Sequence, residues 1–189
     1  TWPKVGQTFA YLDAETGATP LSIMKQAIKS GDASVLDRLP DSLSLFLGNH
    51  PDGAGAMGEI CALALLLGLA YMLWKKIITW HIPVSIIVTV FVLAGLMHVV
   101  NPVYADPVSV VLSGGLMLGA IFMATDYVTS PMTHRGQLIY GVAIGALTVI
   151  IRNWGAYPEG MSFAILIMNA FTPLINNYVK PKRFGEVAK

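Results

Sequence analysis

The chain has 189 residues, 54% of them hydrophobic and 12% charged, with a net charge of +1 and a mean hydropathy of +0.62. That much apolar surface cannot be hidden inside a globule of this size, so a membrane is the natural solvent, and a nucleic-acid surface built from massed Lys and Arg has no support. The single cysteine, Cys61, rules out an internal disulfide and, with no Cys/His cluster beside it, argues against zinc or iron–sulfur ligation by this chain alone.

Residues 1–55 are mixed in polarity and are expected to form a water-exposed segment. The chain starts at Thr1 with no initiator Met or basic leader, and a fragment of a longer protein is expected. Within the segment, Asp13-Ala14-Glu15-Thr16-Gly17-Ala18-Thr19-Pro20 precedes apolar residues at helical spacing, Leu21, Met24 and Ile28 with Ile23 and Ala27. This places Thr19 at the N-cap, Pro20 at the first helical position and Ser30-Gly31 at the end. A phosphate ester on Thr19 would gain from the unpaired N–H groups and the positive end of the helix dipole. On helix physics alone, an ordinary capping Thr accounts for the position.

Residues 56–180 are expected to be a transmembrane helical domain, with spans at 56–74, 77–100, 107–125, 136–151 and 160–179 and a short tail at 181–189. The fourth stretch is short for a span. In the third, Ser113, Gly114, Gly115 and Gly119 suit either close helix packing or a broken half-helix of the kind found in transporters. Lys75 and Lys76, Arg135, and the group Lys180, Lys182, Arg183 and Lys189 fall on one side if all five segments cross, whereas Arg152 is the basic residue of the opposite short loops. The basic side reads as cytoplasmic, which puts residues 1–55 outside. Trp74, Trp80 and Trp154 lie at predicted span ends, where their rings suit the headgroup layer.

Several residues carry two readings. Glu59 at the outer edge of the first span is a functional candidate or a helix cap. His50, His81, His98 and His134 show no ligand spacing, which disfavours haem, and Gly53, Gly55 and Gly58 fit no dinucleotide fingerprint.

Asp13-x-x-Thr16-Gly17-Ala18-Thr19 resembles the flavinylation motif of the RnfD and NqrB families, in which a flavin transferase joins FMN through its phosphate to the last Thr. Three further stretches resemble these families in the same order. They are Leu47-Gly48-Asn49 with Gly55-Ala56-Met57-Gly58-Glu59, then Thr125-Asp126-Tyr127-Val128-Thr129-Ser130-Pro131 with Arg135-Gly136, then Arg152-Asn153-Trp154-Gly155-Ala156-Tyr157-Pro158-Glu159-Gly160. Tyr127 stands where the families usually have Pro, and Ala56 where Ser is common. Trp80-His81-Ile82-Pro83-Val84-Ser85 after Lys75-Lys76, and the short tail, favour RnfD over NqrB.

The resemblance implies an all-α integral membrane protein whose five helices are the second half of a ten-helix, two-repeat fold. It implies a bacterial inner-membrane subunit of an ion-translocating oxidoreductase that couples electron transfer between ferredoxin and NAD to movement of Na⁺ or H⁺. The expected cofactor is FMN, held by a phosphoester on Thr19 with Asp13, Thr16, Gly17 and Ala18 as its motif, and riboflavin is a second candidate flavin. Arg152, expected on the same side, would neutralise a flavin phosphate or simply mark a helix end. Asp126 with Thr129 would bind a cation or a ribityl chain, or form a turn. Expected partners are the other subunits of the complex, a second flavin-bearing membrane subunit among them, together with the flavin transferase and membrane lipid. The rival readings are an NqrB-like subunit of a Na⁺-translocating NADH:quinone reductase, half of a channel or transporter, and a purely structural membrane subunit.

Overall fold

The computed structural model describes residues 19–48 and 61–180, and among these the regular elements are all helical. Helix α1 spans Pro20–Ser30, followed by a 3-10 segment at Ala33–Arg38 and a short α2 at Ser42–Leu47. The apolar helices are α3 (Ala62–Trp74), α4 (His81–Val100), α5 (Pro107–Leu112), α6 (Leu116–Leu118) running into a π-helical turn at Gly119–Met123, α7 (His134–Trp154) and α8 (Met161–Tyr178).

Among the described residues two helices, α4 and α7, are long and apolar enough to cross a membrane, and α3 is a shorter apolar helix. The outward faces are greasy: Val88, Phe91, Val92 and Leu96 of α4 and Ile139, Val142 and Ile150 of α7 are exposed. The inward faces meet in one core around Ile86, Val90, Leu116, Ile121, Tyr140 and Ile144, all fully buried. Apolar residues on both faces are what a lipid solvent allows and water does not.

Three of the expected spans change in detail, and positions 56–60 of the first lie outside the described residues. The second starts at His81, not 77, because Lys76 turns the chain with φ 55°. The expected fourth span, 136–151, is too short. The helix runs from His134 to Trp154, starting where Thr133 accepts from the Gly136 N–H at 3.1 Å and ending beyond Arg152, whose charge is neutralised inside the fold. The third is broken. Ser113 is extended at ψ 140° and Gly114 adopts φ 68°, a left-handed conformation that suits glycine. The chain nevertheless runs from the Arg152 end of the bundle to the opposite end, where Thr125 and Tyr127 lie near Ile77.

The loops sort to two ends. At one, the Tyr127 hydroxyl donates to the Ile77 carbonyl, Thr79 to Gln137 at 2.8 Å, and Thr133 to the Val179 carbonyl at 3.3 Å. Lys75, Lys76, Arg135 and Lys180 belong to this end. The other end gathers Ala105, Arg152 and the 155–160 loop beneath α1, whose Leu21 and Met24 pack on Ala105 and Val110. Trp74, Trp80 and Trp154 are all exposed at helix termini.

The α4–α7 contact is close because Gly145 has no side chain. A Cβ there would sit 2.8 Å from the Thr89 Cβ and 3.1 Å from the Ile86 carbonyl oxygen. Gly145→Val is expected to cost about 1–3 kcal/mol through overpacking. Thermal unfolding of the detergent-solubilised protein should show a lowered midpoint, while Val142→Leu on the exposed face should leave it unchanged.

Candidate functional site

Thr19 caps α1 as its sequence demands. Its backbone is extended (φ −64°, ψ 150°), its hydroxyl accepts from the Ser22 N–H at 3.3 Å, and its carbonyl accepts from Ser22 at 2.9 Å and Ile23 at 3.1 Å. Pro20 follows at the first helical position. At the other end Gly31, left-handed at φ 70°, returns its N–H to the Ala27 carbonyl at 2.9 Å. Thr19 is exposed. The long capping bond ties the hydroxyl down weakly, and the N–H of Leu21 has no partner within its own helix. The position is therefore chemically suited to carry an anionic substituent, which the first-turn donors and the dipole would stabilise.

Below α1, the break in the third stretch exposes half-helix ends, and a single ion pair closes both. Arg152 is 5% exposed, yet its guanidinium is well partnered: Nη1 donates to the Val110 carbonyl at 2.9 Å, and Nη2 to the Ser113 carbonyl at 3.2 Å and to Glu159 Oε1 at 3.2 Å. The accepting carbonyls are those released where α5 stops. Glu159 serves the opposite polarity. Its Oε2 accepts the Gly115 N–H at 3.1 Å where the next segment starts, and its Oε1 accepts the N–H groups of Gly160 and Met161, both at 3.2 Å, at the start of α8. Cation on carbonyls and carboxylate on N–H groups match the sign of each helix end. Ser113 Oγ and Arg152 Nε remain buried without partners among the described residues.

Gly114 joins this pair to α1. A side chain there would collide with Leu21 and with the Glu159 carboxylate, so the bare backbone is what admits the first turn after Thr19. Lys25 supplies the second anchor. Its side chain is 8% exposed, and Nζ donates to the Gly155 carbonyl and, at 2.6 Å, to that of Tyr157. Burial lowers its pKa below the ordinary lysine value, and the nearby charge of Lys29 lowers it further. A cavity of about 40 Å³, lined by Met24, Lys25, Val110, Arg152 and Asn153 among others, lies under the helix.

The candidate residues do not form one cluster. Thr19 and Arg152 share one end of the bundle, but the three polar contacts of Arg152 are internal to the membrane domain. Asp126 and Thr129 lie at the opposite end. There Thr129 donates to Asp126 Oδ2 at 3.1 Å and the Asp126 carbonyl accepts from Ser130 at 3.2 Å, the geometry of a side-chain-stabilised turn. Both residues also line an open groove between the π-helical turn and α8, with Phe122, Phe163 and Asn169. Asp13, Thr16, Gly17, Ala18 and Glu59 lie outside the described residues.

Sequence reasoning passed over Lys25, the Glu159 partner of Arg152, and the stack of Trp80, His81 and His134, whose adjacent ring centroids lie 4.2 and 4.4 Å apart. The two histidines begin α4 and α7, and no group of three metal-ligating side chains occurs among the described residues.

A family model described as the NQR2, RnfD, RnfE family matches residues 1–185 of the chain. Over 188 residues the chain is 43% identical to the D subunit of the Na(+)-translocating ferredoxin:NAD(+) oxidoreductase complex of Acetobacterium woodii, covering 98% of this chain and 55% of that protein. Over 195 residues it is 42% identical to the D subunit of the proton-translocating ferredoxin:NAD(+) oxidoreductase complex of Clostridium ljungdahlii, covering 98% and 57%. Over 183 residues it is 40% identical to the D subunit of the ion-translocating oxidoreductase complex of Stutzerimonas stutzeri, covering 95% and 51%. The chain thus spans about half the length of these curated relatives.

The ion pair across the helix break yields a direct test. Arg152→Met and Glu159→Gln should each destabilise the protein by about 1.5–3 kcal/mol, the usual range for a charged hydrogen bond. The double variant should cost less than the sum, because the second change removes a partner already lost. Additive losses in chemical unfolding would mean that the two side chains act separately.

Proposed function

The chain belongs to the NQR2, RnfD, RnfE family, and we propose that it is the flavin-carrying membrane portion of an RnfD-type subunit in an ion-translocating oxidoreductase. In this reading the assembled complex passes electrons between ferredoxin and NAD and moves Na⁺ or H⁺ across a bacterial inner membrane. The relatives that carry such names, and their match along nearly the whole chain, support it. The five apolar stretches would each cross the membrane, with α1 on the extracytoplasmic face. The segregation of Lys75, Lys76, Arg135 and Lys180 to the opposite end supports that orientation.

The observation that carries the flavin assignment is the exposed Thr19 hydroxyl at a helix N-cap, at the last position of Thr16-Gly17-Ala18-Thr19. FMN, when bound, supplies the redox chemistry. The chain's own residues attach and orient it. The Thr19 oxygen would hold the FMN phosphate as an ester once the transferase had made that bond, the first turn of α1 would donate N–H groups to it, and Lys25 with Leu21 fixes α1 to the membrane domain. Arg152 and Glu159 hold the surface on which α1 rests. The other subunits, a second flavin-bearing membrane subunit among them, would complete the electron path, and a flavin transferase would load Thr19.

The broken third stretch is the feature that most favours a transporter-like passage instead, because such folds leave half-helix ends free for substrate. Here Arg152 and Glu159 fill those ends, which favours a structural role for the break.

Thr19→Ala should abolish covalent flavin while leaving an inserted, assembled subunit, since loss of the cap costs only about 0.5–2 kcal/mol. Thr19→Ser keeps a hydroxyl and should retain some flavin if the transferase tolerates loss of the methyl. In-gel fluorescence and the intact mass of the purified chain read both outcomes, and flavin persisting on the Ala variant after denaturation would refute the assignment. For orientation, a Cys placed at Thr16 should react with an impermeant thiol reagent from outside intact cells, and one at Lys182 should not.

A further inference from the structure

A second feature flanks the Thr19 hydroxyl. Between α1 and the loop at 155–158 runs a groove of about 350 Å³, lined by Ser22, Lys25, Gln26, Lys29, Ala156 and Pro158. Its helical wall is in phase with Thr19, because residues 19, 22, 26 and 29 follow the i, i+3, i+7, i+10 spacing of one helix face. At ~1.5 Å per residue, Gln26 and Lys29 lie about 10 and 15 Å along the axis from Thr19.

Two lysines line the groove. Lys25 and Lys29 are like charges four residues apart, an arrangement that mildly destabilises a helix and that an anion between them would relieve. Among the described residues neither lysine has a carboxylate oxygen within 4 Å. Lys25 is fixed by its bonds to the loop carbonyls and cannot swing away, whereas Lys29 is exposed at the far end. Ala156, Pro158 and the Lys25 stem give the groove an apolar lining on which a planar ring can lie. Ser22 and Gln26 add polar groups between.

We infer that this groove seats the ring of the flavin carried on Thr19, with Lys29 as a positioning residue that places positive charge beside it. The inference rests on the attachment proposed above. A phosphate at the N-cap and a ring in the groove use one continuous face of α1, and a cation near the ring favours its reduced form, which carries more negative charge. Lys29 thereby raises the flavin potential, and Gln26 shapes the space that the ring fills.

The test uses the assembled complex, purified from cells that load flavin, with covalent attachment confirmed by in-gel fluorescence of the parent. Lys29→Gln should lower the midpoint potential of the covalent flavin, and Lys29→Arg should restore it. Lys76→Gln, a charge removed at the opposite end of the bundle, should leave it unchanged. Gln26→Trp should fill the groove and free the ring, seen as a fall in flavin fluorescence anisotropy with covalent loading retained. If covalent flavin is present but either Lys29→Gln or Gln26→Trp leaves it indistinguishable from the parent, the groove is not its seat. A parent with no flavin on Thr19 overturns the attachment and the seat together.

Discussion

The Arg152–Glu159 pair at 3.2 Å is the contact on which this end of the protein depends. A helix interrupted among apolar neighbours releases carbonyls on one side of the break and N–H groups on the other, and each is costly to bury unpaired. One cation and one carboxylate resolve both polarities, and they also neutralise each other, so neither charge is left isolated beneath α1. The break then becomes useful. Gly114 provides a patch of bare backbone, Leu21 settles against it, and the first turn of α1 is held a fixed distance from the membrane domain.

What was legible in the sequence was local. Thr19, Pro20 and Ser30-Gly31 lie within a dozen residues, and their capping chemistry acts over one turn, so the start and end of α1 follow from position alone. Helix α8 was equally plain from its apolar run, despite Pro173 inside it. A helical chain suited to a membrane followed from composition and apolar runs, whereas the half of a two-repeat fold and the Thr19 motif came from the resemblance. The sequence does not distinguish a break at Ser113-Gly114 from an unbroken helix, because small residues serve close packing and helix interruption equally well. The deciding partner, Arg152, lies 39 residues further on from Ser113 and has no periodic relation to it.

The same separation hid the rest of the site. Lys25 reads in the sequence as one more charge on an exposed helix, and its burial depends on carbonyls of Gly155 and Tyr157, 130 and 132 residues away. Arg152 and Glu159 were each visible as loop residues, seven apart with Pro158 between them, but a salt bridge cannot be read from spacing where no regular helix joins the partners. The fourth span is longer than its sequence suggests for a related reason. A charge inside an apolar run is taken as a boundary, yet Arg152 remains helical because its neutralising partners are within reach.

These contacts also explain how a residue can be both a helix cap and a point of attachment. Thr19 contributes one long hydrogen bond to α1, worth about 0.5–2 kcal/mol as a cap. Docking of the helix lies elsewhere. Leu21 and Met24 are buried, and burying side chains of this kind contributes about 1.5–3 kcal/mol each. Lys25 adds two charged hydrogen bonds to the loop. All three residues follow Thr19 on the inner face of α1, and none uses its hydroxyl. A substituent on that oxygen can therefore replace the cap without loosening the helix, and its position relative to the membrane domain is set by residues 21–25 rather than by the bond that attaches it.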